Sequence, residues 1–169
     1  MPTSDRGGEM ETVRFRHAHF SARFPVGERY APSHFWLRPA DAEPGSGPAD
    51  PATDGLWRVG FTKFATRMLG ELVEMNLVVT AGQSVAAGLL LGSVEGFKAV
   101  SDLFCVADGT FVKVNPALTA EACLTHAAPY GNGWLYEVEG RPQSETLDVH
   151  EYIALLQQTI DRLQASRYD

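Results

Sequence analysis

Apolar residues along this chain recur mostly in short runs that alternate with polar ones and stop at Gly, Pro, Asn or Asp. A period of two predicts strands with one buried face, because successive side chains of a strand point opposite ways. Val13, Phe15, Phe20 and Phe24 predict a strand or hairpin over residues 12–24, packed on the main body and ended by Pro25 and Gly27. Leu37 belongs to a first core strand, and residues 56–61 to a return strand. Residues 71–77 form another. Turns at 80–82 and 86–88 lead to Val85 and to Leu89, Leu90 and Leu91. Asp108 and Gly109 predict a turn, Phe111, Val112 and Val114 the strand after it, and residues 135–138 the last strand.

Three stretches carry helical spacing instead. Thr62 is placed to cap a short helix over 63–69, with Phe64, Ala65, Met68 and Leu69 on its apolar side and Gly70 as its stop. Asn115 and Pro116 open a second helix, with Leu118, Ala122 and Cys123 on the apolar side. Asp148 and Glu151 make a capping-box start. Val149, Ile153, Leu156, Ile160 and Leu163 follow at four-three spacing, an amphipathic helix of about four turns that packs back on the sheet. Residues 1–11 have almost nothing to bury and predict a mobile tail. Residues 39–54 hold Pro39, Pro44, Pro48, Pro51, Gly45, Gly47 and four acids, and predict a flexible, solvated loop.

The pattern centres on residues 91–102, Leu-Gly-Ser-Val-Glu-Gly-Phe-Lys-Ala-Val-Ser-Asp. Val85, Leu89, Leu90, Leu91 and Val94 lead into it; Val100, Leu103, Phe104 and Val106 lead out. Gly88 lies ten residues before Lys98 and Gly109 eleven after it. This near-symmetry predicts a tight turn with Lys98 at an exposed tip, backbone freedom supplied by Gly96, and carboxylates on either side from Glu95 and Asp102. By residue type and spacing alone, such a lysine is a solvated surface charge, worth roughly 0–1 kcal/mol in an ion pair.

Composition removes several functions. A length of 169 residues fits one domain with some chain left for tails or insertions. Fourteen basic against 21 acidic residues give a net charge of −7, which argues against nucleic acid as a partner. No apolar run approaches the roughly 20 residues of a membrane helix. Asp5, Glu9 and Glu11 replace the apolar region of a secretory signal, so cytoplasm is the expected compartment. Cys105 and Cys123 do not make a disulfide framework and are expected as small buried residues. His17 and His19 share a strand face, but no third ligand has sensible spacing, so solvent-facing histidines are expected and no metal. Arg14, Arg16 and Arg23 make this stretch locally basic. They fit contact with an acidic partner or a plain polar strand face, and nothing in the sequence separates the two.

Several segments together resemble one family. Gly92-Ser93-Val94-Glu95-x-x-Lys98-Ala99-Val100-Ser101-Asp102-Leu103 resembles the lipoyl-attachment hairpin of glycine cleavage system H proteins, ungapped and with the Glu three residues before the Lys. Tyr30-Ala-Pro-Ser-His34-Phe-Trp36 resembles their Tyr-Thr-x-x-His-x-Trp opening. Gly60-Phe-Thr62-x-x-Ala65-x-x-x-Leu69-Gly70 and Pro129-Tyr130-Gly131-x-Gly133-Trp134-Leu135 resemble two further segments in order. The resemblance runs from about Tyr30 to about Tyr152, broken by an insertion at 39–54. It divides the chain into a tail (1–11), an N-terminal extension with an added strand (12–29) and an H-protein-like lipoyl domain (30–165).

The resemblance implies a mainly β fold, a barrel-sandwich hybrid of the lipoyl/biotinyl type with short helices and a C-terminal amphipathic helix. It implies a non-catalytic carrier with lipoate in amide linkage to Lys98. The arm would collect an aminomethyl group from a pyridoxal-phosphate glycine decarboxylase and pass it to a tetrahydrofolate-dependent aminomethyltransferase. Dihydrolipoamide dehydrogenase would reoxidise the resulting dithiol. A lipoyl ligase or lipoyltransferase would load Lys98, reading a tip made of Glu95, Gly96, Phe97, Ala99 and Asp102. A monomer is expected. The chain departs from the family at Phe35, where Glu is common, at Lys63, where Asp is usual, at Gly96 and Phe97, where Ser and Val are usual, and at Val106. These departures keep two other readings open: a lipoate carrier of the same fold in another pathway such as sulfur oxidation, or an unmodified interaction module. A biotin carrier is disfavoured because no methionine flanks Lys98.

Overall fold

Alternating strands bury their apolar faces by stacking sheet on sheet, and two such sheets form the body of this protein. The computed structural model describes residues 10–166, so the expected tail, apart from Met10 and Glu11, lies outside the described residues. The strands are β1 (Thr12–His17), β2 (Phe20–Pro25), β3 (Arg29–Ala31), β4 (Phe35–Pro39), β5 (Gly55–Phe61), β6 (Leu72–Leu77), β7 (Ser84–Val85), β8 (Leu90–Gly96), β9 (Val100–Phe104), β10 (Ala107–Val114) and β11 (Tyr136–Pro142). The helices are α1 (Lys63–Leu69), α2 (Ala117–Ala120), α3 (Leu124–Ala127) and α4 (Val149–Ser166). A six-stranded sheet has the order β3-β4-β5-β11-β10-β7, a three-stranded sheet the order β6-β8-β9, and β1-β2 stands as a separate hairpin. All pairings are antiparallel. The fold is the expected barrel-sandwich hybrid.

Register explains the main core. Leu37 pairs with Val59, Trp57 with Val138, and Val138 with Phe111, so these apolar residues line one face of the large sheet. Leu91, Val94 and Leu103 of the small sheet pack against them. A second core is almost entirely aromatic. Phe15, Phe20 and Phe24 of the hairpin meet Tyr30, Trp36, Phe64, Tyr130 and Trp134, and α4 closes it with Val149, Tyr152, Leu156 and Ile160. Tyr30 stacks on Tyr152 with ring centroids 4.8 Å apart, and Phe24 meets Tyr152 edge-on at 5.5 Å.

Helix ends behave as their residues dictate. The Thr62 hydroxyl accepts the Ala65 amide at 3.3 Å. Asp148 and Glu151 exchange backbone-to-carboxylate bonds of 2.9 and 2.8 Å, a full capping box. Asn115 Oδ1 accepts the Ala117 amide at 3.0 Å, but the chain beyond forms two short helices, not one. The connection after β4 lacks helix and strand as far as β5. It is tied down where the Ala49 amide donates to Gly27 O at 2.7 Å and the Gly45 amide donates to the Glu28 carboxylate at 3.3 Å.

Four expectations need correction. Asp108 and Gly109 lie within β10, where the ladder brings Glu139 O to 2.1 Å from any Cβ on Gly109; that glycine serves a close backbone approach, not a turn. Gly96 is outside the left-handed region and is needed for space, as argued below. Cys105 is buried but Cys123 is exposed, and both thiols are free. The helix packs back on the sheet, at Tyr30 of β3, and on the β1–β2 hairpin, but its buried stripe runs through Tyr152 and Leu156, leaving Ile153 half-buried and Leu163 42% exposed. Ile153→Asp should therefore lower stability by only about 1–2 kcal/mol, and Leu156→Asp by about 4 kcal/mol. Thermal unfolding of both variants checks this; equal losses would mean a different helix face is buried.

Candidate functional site

β8 and β9 run out to a tip made by Phe97, Lys98 and Ala99, all exposed. The Gly96 amide donates to Ala99 O at 2.9 Å and closes the turn. The tip is also tied to the body. The Phe97 amide donates to Glu71 O and the Lys98 amide to Leu69 O, each at 3.0 Å. These carbonyls lie at the end of α1 and just beyond it. Lys98 Nζ donates to Arg67 O at 3.2 Å, as a cation at a helix C-terminus should. Among the described residues, ion pairs join Arg38 to Glu28, Arg58 to Glu137 and Arg141 to Asp54, His17 lies against Asp161, and Lys98 enters none of these contacts. Its amine is open to solvent.

Gly96 makes the close fit possible. A Cβ there would sit 2.2 Å from Leu69 O and 2.7 Å from Leu69 Cγ. Glu95 pairs with Val100, and Ser93 with Asp102, so both carboxylates lie on the outer face of the β8–β9 hairpin, and both are exposed. They flank the tip without touching Lys98. Phe97 is 76% exposed. Gly96, by contrast, is buried and presents nothing to a partner.

Beside the tip, between the free edge of β9 and α1, opens a cleft of about 660 Å³. Its walls are Phe35, Phe61, Phe64, Met68, Leu69, Val94 and Val100, with Ser33, His34 and Asp102 among the few polar residues. Phe35 and Phe61 stack with centroids 5.6 Å apart. The cleft begins one residue from Lys98, at Ala99.

His34 holds one wall. Its φ of 77° is in the left-handed region, a strained state for a histidine, and its carbonyl accepts the Thr62 amide at 3.1 Å. His34 Nδ1 lies 2.9 Å from the Tyr152 hydroxyl, which lies 2.8 Å from the Thr62 hydroxyl. Phe64 packs against the imidazole at 4.7 Å. Burial lowers the imidazole from 6.5 to about 4, and burial also pushes the Tyr152 phenol far up, so both are neutral near pH 7. A lowered histidine means that the unfolded chain takes a proton the folded one refuses. Stability should fall as pH drops from 6.5 to about 4. Allowing for partial exposure, the loss is about 2 kcal/mol. Denaturant titrations at pH 7.5 and 4.5 should show this loss in the wild type and a smaller one in His34→Gln; identical slopes would sink the assignment.

Residues 50–159 match the family model of the glycine cleavage H-protein. The chain belongs to that family. A glycine cleavage system H protein from Micrococcus luteus is 39% identical over 114 residues, covering 68% of this chain and 80% of the relative. One from Citrobacter koseri is 34% identical over 136 residues, covering 79% and 95%. The crystal structure of a glycine cleavage system H protein from Mycobacterium marinum superposes with a TM-score of 0.65 at 37% identity, covering 78% of this chain and 97% of that one. The family match includes the whole β8–β9 hairpin and α1, and leaves β1 and β2 outside it.

The tip was legible as a local pattern. The cleft was not, because its walls come from β4, β5, α1, β8 and β9. Its one sequence signal was Phe35, an aromatic where the family favours a carboxylate. Tyr152 carried no signal at all: beside Ile153 it reads as the edge of an apolar stripe, yet it is the residue on which His34 and Thr62 converge.

Proposed function

We propose that this chain is the lipoyl carrier of the glycine cleavage system, with lipoate in amide linkage to Lys98. The observation that carries the reading is an exposed lysine amine on a tip fastened to the body by two backbone bonds, in a chain of the H-protein family. The residues fit the group. An open amine can reach a ligase, and the apolar cleft that begins at Ala99 suits an aliphatic arm. Bound there, lipoate supplies a disulfide that accepts a carbon unit at one active site and yields it at another. The chain's own part is positional. Lys98 gives up its charge on acylation, the pinned tip fixes the root of the arm, and tethering raises its effective concentration at each enzyme. Phe97, Ala99, Glu95 and Asp102 surround that root and form the surface a loading enzyme meets. Gly96 acts underneath, by letting the tip approach Leu69.

The partners under this reading are glycine decarboxylase, aminomethyltransferase, dihydrolipoamide dehydrogenase and a lipoyl ligase or lipoyltransferase, in the cytoplasm, with the carrier as a monomer that performs no catalysis itself. None of the described helices is long and apolar enough to cross a membrane, and no group of three or more metal-ligating side chains occurs among the described residues. Intact mass of protein from lipoate-supplied cells should show one lipoyl adduct, lost in Lys98→Arg. Absence of the adduct under an active ligase would overturn the reading. Glycine–bicarbonate exchange with glycine decarboxylase then tests the pathway: a fully lipoylated but inactive sample would assign the carrier elsewhere.

A further inference from the structure

The β1–β2 hairpin is two-faced. Its inner face, Phe15, Phe20 and Phe24, is buried in the aromatic core. Phe24 meets Tyr152, and Phe20 meets Phe64, both edge-on at 5.5 Å. His17 Nε2 lies 2.7 Å from Asp161 of α4. The hairpin is therefore presented in a fixed orientation. Its outer face carries Arg14, Arg16 and Arg23, all exposed. Arg14 and Arg23 are direct cross-strand partners, and Arg16 lies two residues along the same face, opposite Ser21. Like charges directly opposed across strands are destabilising. None of the three enters an ion pair among the described residues. A chain of net charge −7 thus keeps three arginines together, without an ion pair among the described residues, on an element outside the family match.

The position of this face connects it to the arm. α1 touches both: Phe64 and Arg67 pack on Phe20 from one side, and the Arg67 carbonyl accepts from Lys98 Nζ on the other. Around the tip the exposed charges are mostly acidic, with Glu71, Glu74, Glu95 and Asp102 set against Arg67 and the Lys98 amine that acylation neutralises. Once Lys98 is acylated, the molecule therefore shows an acidic excess at the arm and a basic cluster on its flank. Such a pair of patches steers a partner into a single orientation.

We propose that the outer face of β1–β2 is an electrostatic docking site for an acidic surface on an enzyme that serves the lipoyl arm. A polyanion such as nucleic acid would be repelled by the rest of the chain, whereas a local acidic protein patch meets the arginines within a screening length. The proposal rests on the carrier reading above, and the test separates the two. Full-length, lipoylated wild type and an Arg14→Gln/Arg16→Gln/Arg23→Gln variant are compared with purified glycine decarboxylase, aminomethyltransferase and dihydrolipoamide dehydrogenase. Calorimetric Kd and the KM for the carrier are measured at low and high salt. With at least one enzyme the variant should bind about tenfold more weakly and raise KM about tenfold at low salt, with kcat unchanged and the difference gone at high salt. Its melting temperature should equal or exceed that of the wild type, since a repulsive pair has been removed. Equal Kd and KM for all three enzymes at low salt would overturn the docking face while leaving the carrier intact. A wild type inactive with all three would overturn both. Loss of a wild-type dimer in sedimentation, without change in enzyme binding, would assign the face to a second copy instead.

Discussion

Arg38→Met should lower the stability of this fold by about 4 kcal/mol, because it strands a buried carboxylate. Glu28 and Arg38 are 2% and 4% exposed. Arg38 Nη1 donates to Glu28 Oε2 and to Tyr130 O, both at 2.9 Å, and the guanidinium lies 4.3 Å from the Trp36 ring centroid. Burial already raises the Glu28 carboxyl above its usual range despite Arg38 beside it, and lowers Arg38 in turn. Without the arginine the carboxylate would be protonated in the fold, and a folded pKa raised above the unfolded value gives stability that is lost as pH rises. The deficit of the variant should thus grow from pH 5 to pH 8. Glu28→Gln added to Arg38→Met should recover part of it, since a neutral amide can still meet the Gly45 amide. Guanidinium titrations of the single and double variants decide: a loss under about 1 kcal/mol would mean that the site relaxes to admit water.

Gly96→Ala is the second large effect, expected at about 3 kcal/mol, the upper part of the range for overpacking. The new methyl would face a carbonyl 2.2 Å away, and backbone yields less than a side chain end. The simplest relief is for the tip to lift from α1. Lifting breaks the bonds from the Phe97 and Lys98 amides to Glu71 and Leu69. Hydrogen exchange should therefore quicken at those two amides more than elsewhere in β8 and β9. Uniform quickening would mean global destabilisation without a lifted tip.

These two sites differ in how far the sequence announced them. Local features were readable: the Thr62 cap, the Asp148 capping box, the strand alternation and the lysine between two apolar runs all depend on residues a few positions apart. Gly96 was readable as important but for the wrong reason, because its constraint comes from Leu69 across the structure and not from its own dihedral angles. Nothing in the local pattern marks Glu28 and Arg38 as a buried pair, because what covers them comes from Tyr130 and the connection after β4. Cys123 read as buried because its neighbours are apolar, yet the split of the predicted helix into α2 and α3 turns it outward. The cleft and the aromatic core depend on pairs such as His34 and Tyr152, separated by 118 positions, which no local pattern encodes.

That separation also sets an order of events during synthesis. Tyr152 joins Phe24, Tyr30, His34 and Thr62, so the aromatic core lacks its central ring until α4 has left the ribosome. The facing sheets, complete at β11, have all their own strands earlier. A nascent chain should therefore pass through a stage in which the β1–β2 hairpin can meet Tyr30 and Phe64 but lacks the cover of α4, its phenylalanines only partly shielded from chaperones and neighbouring chains.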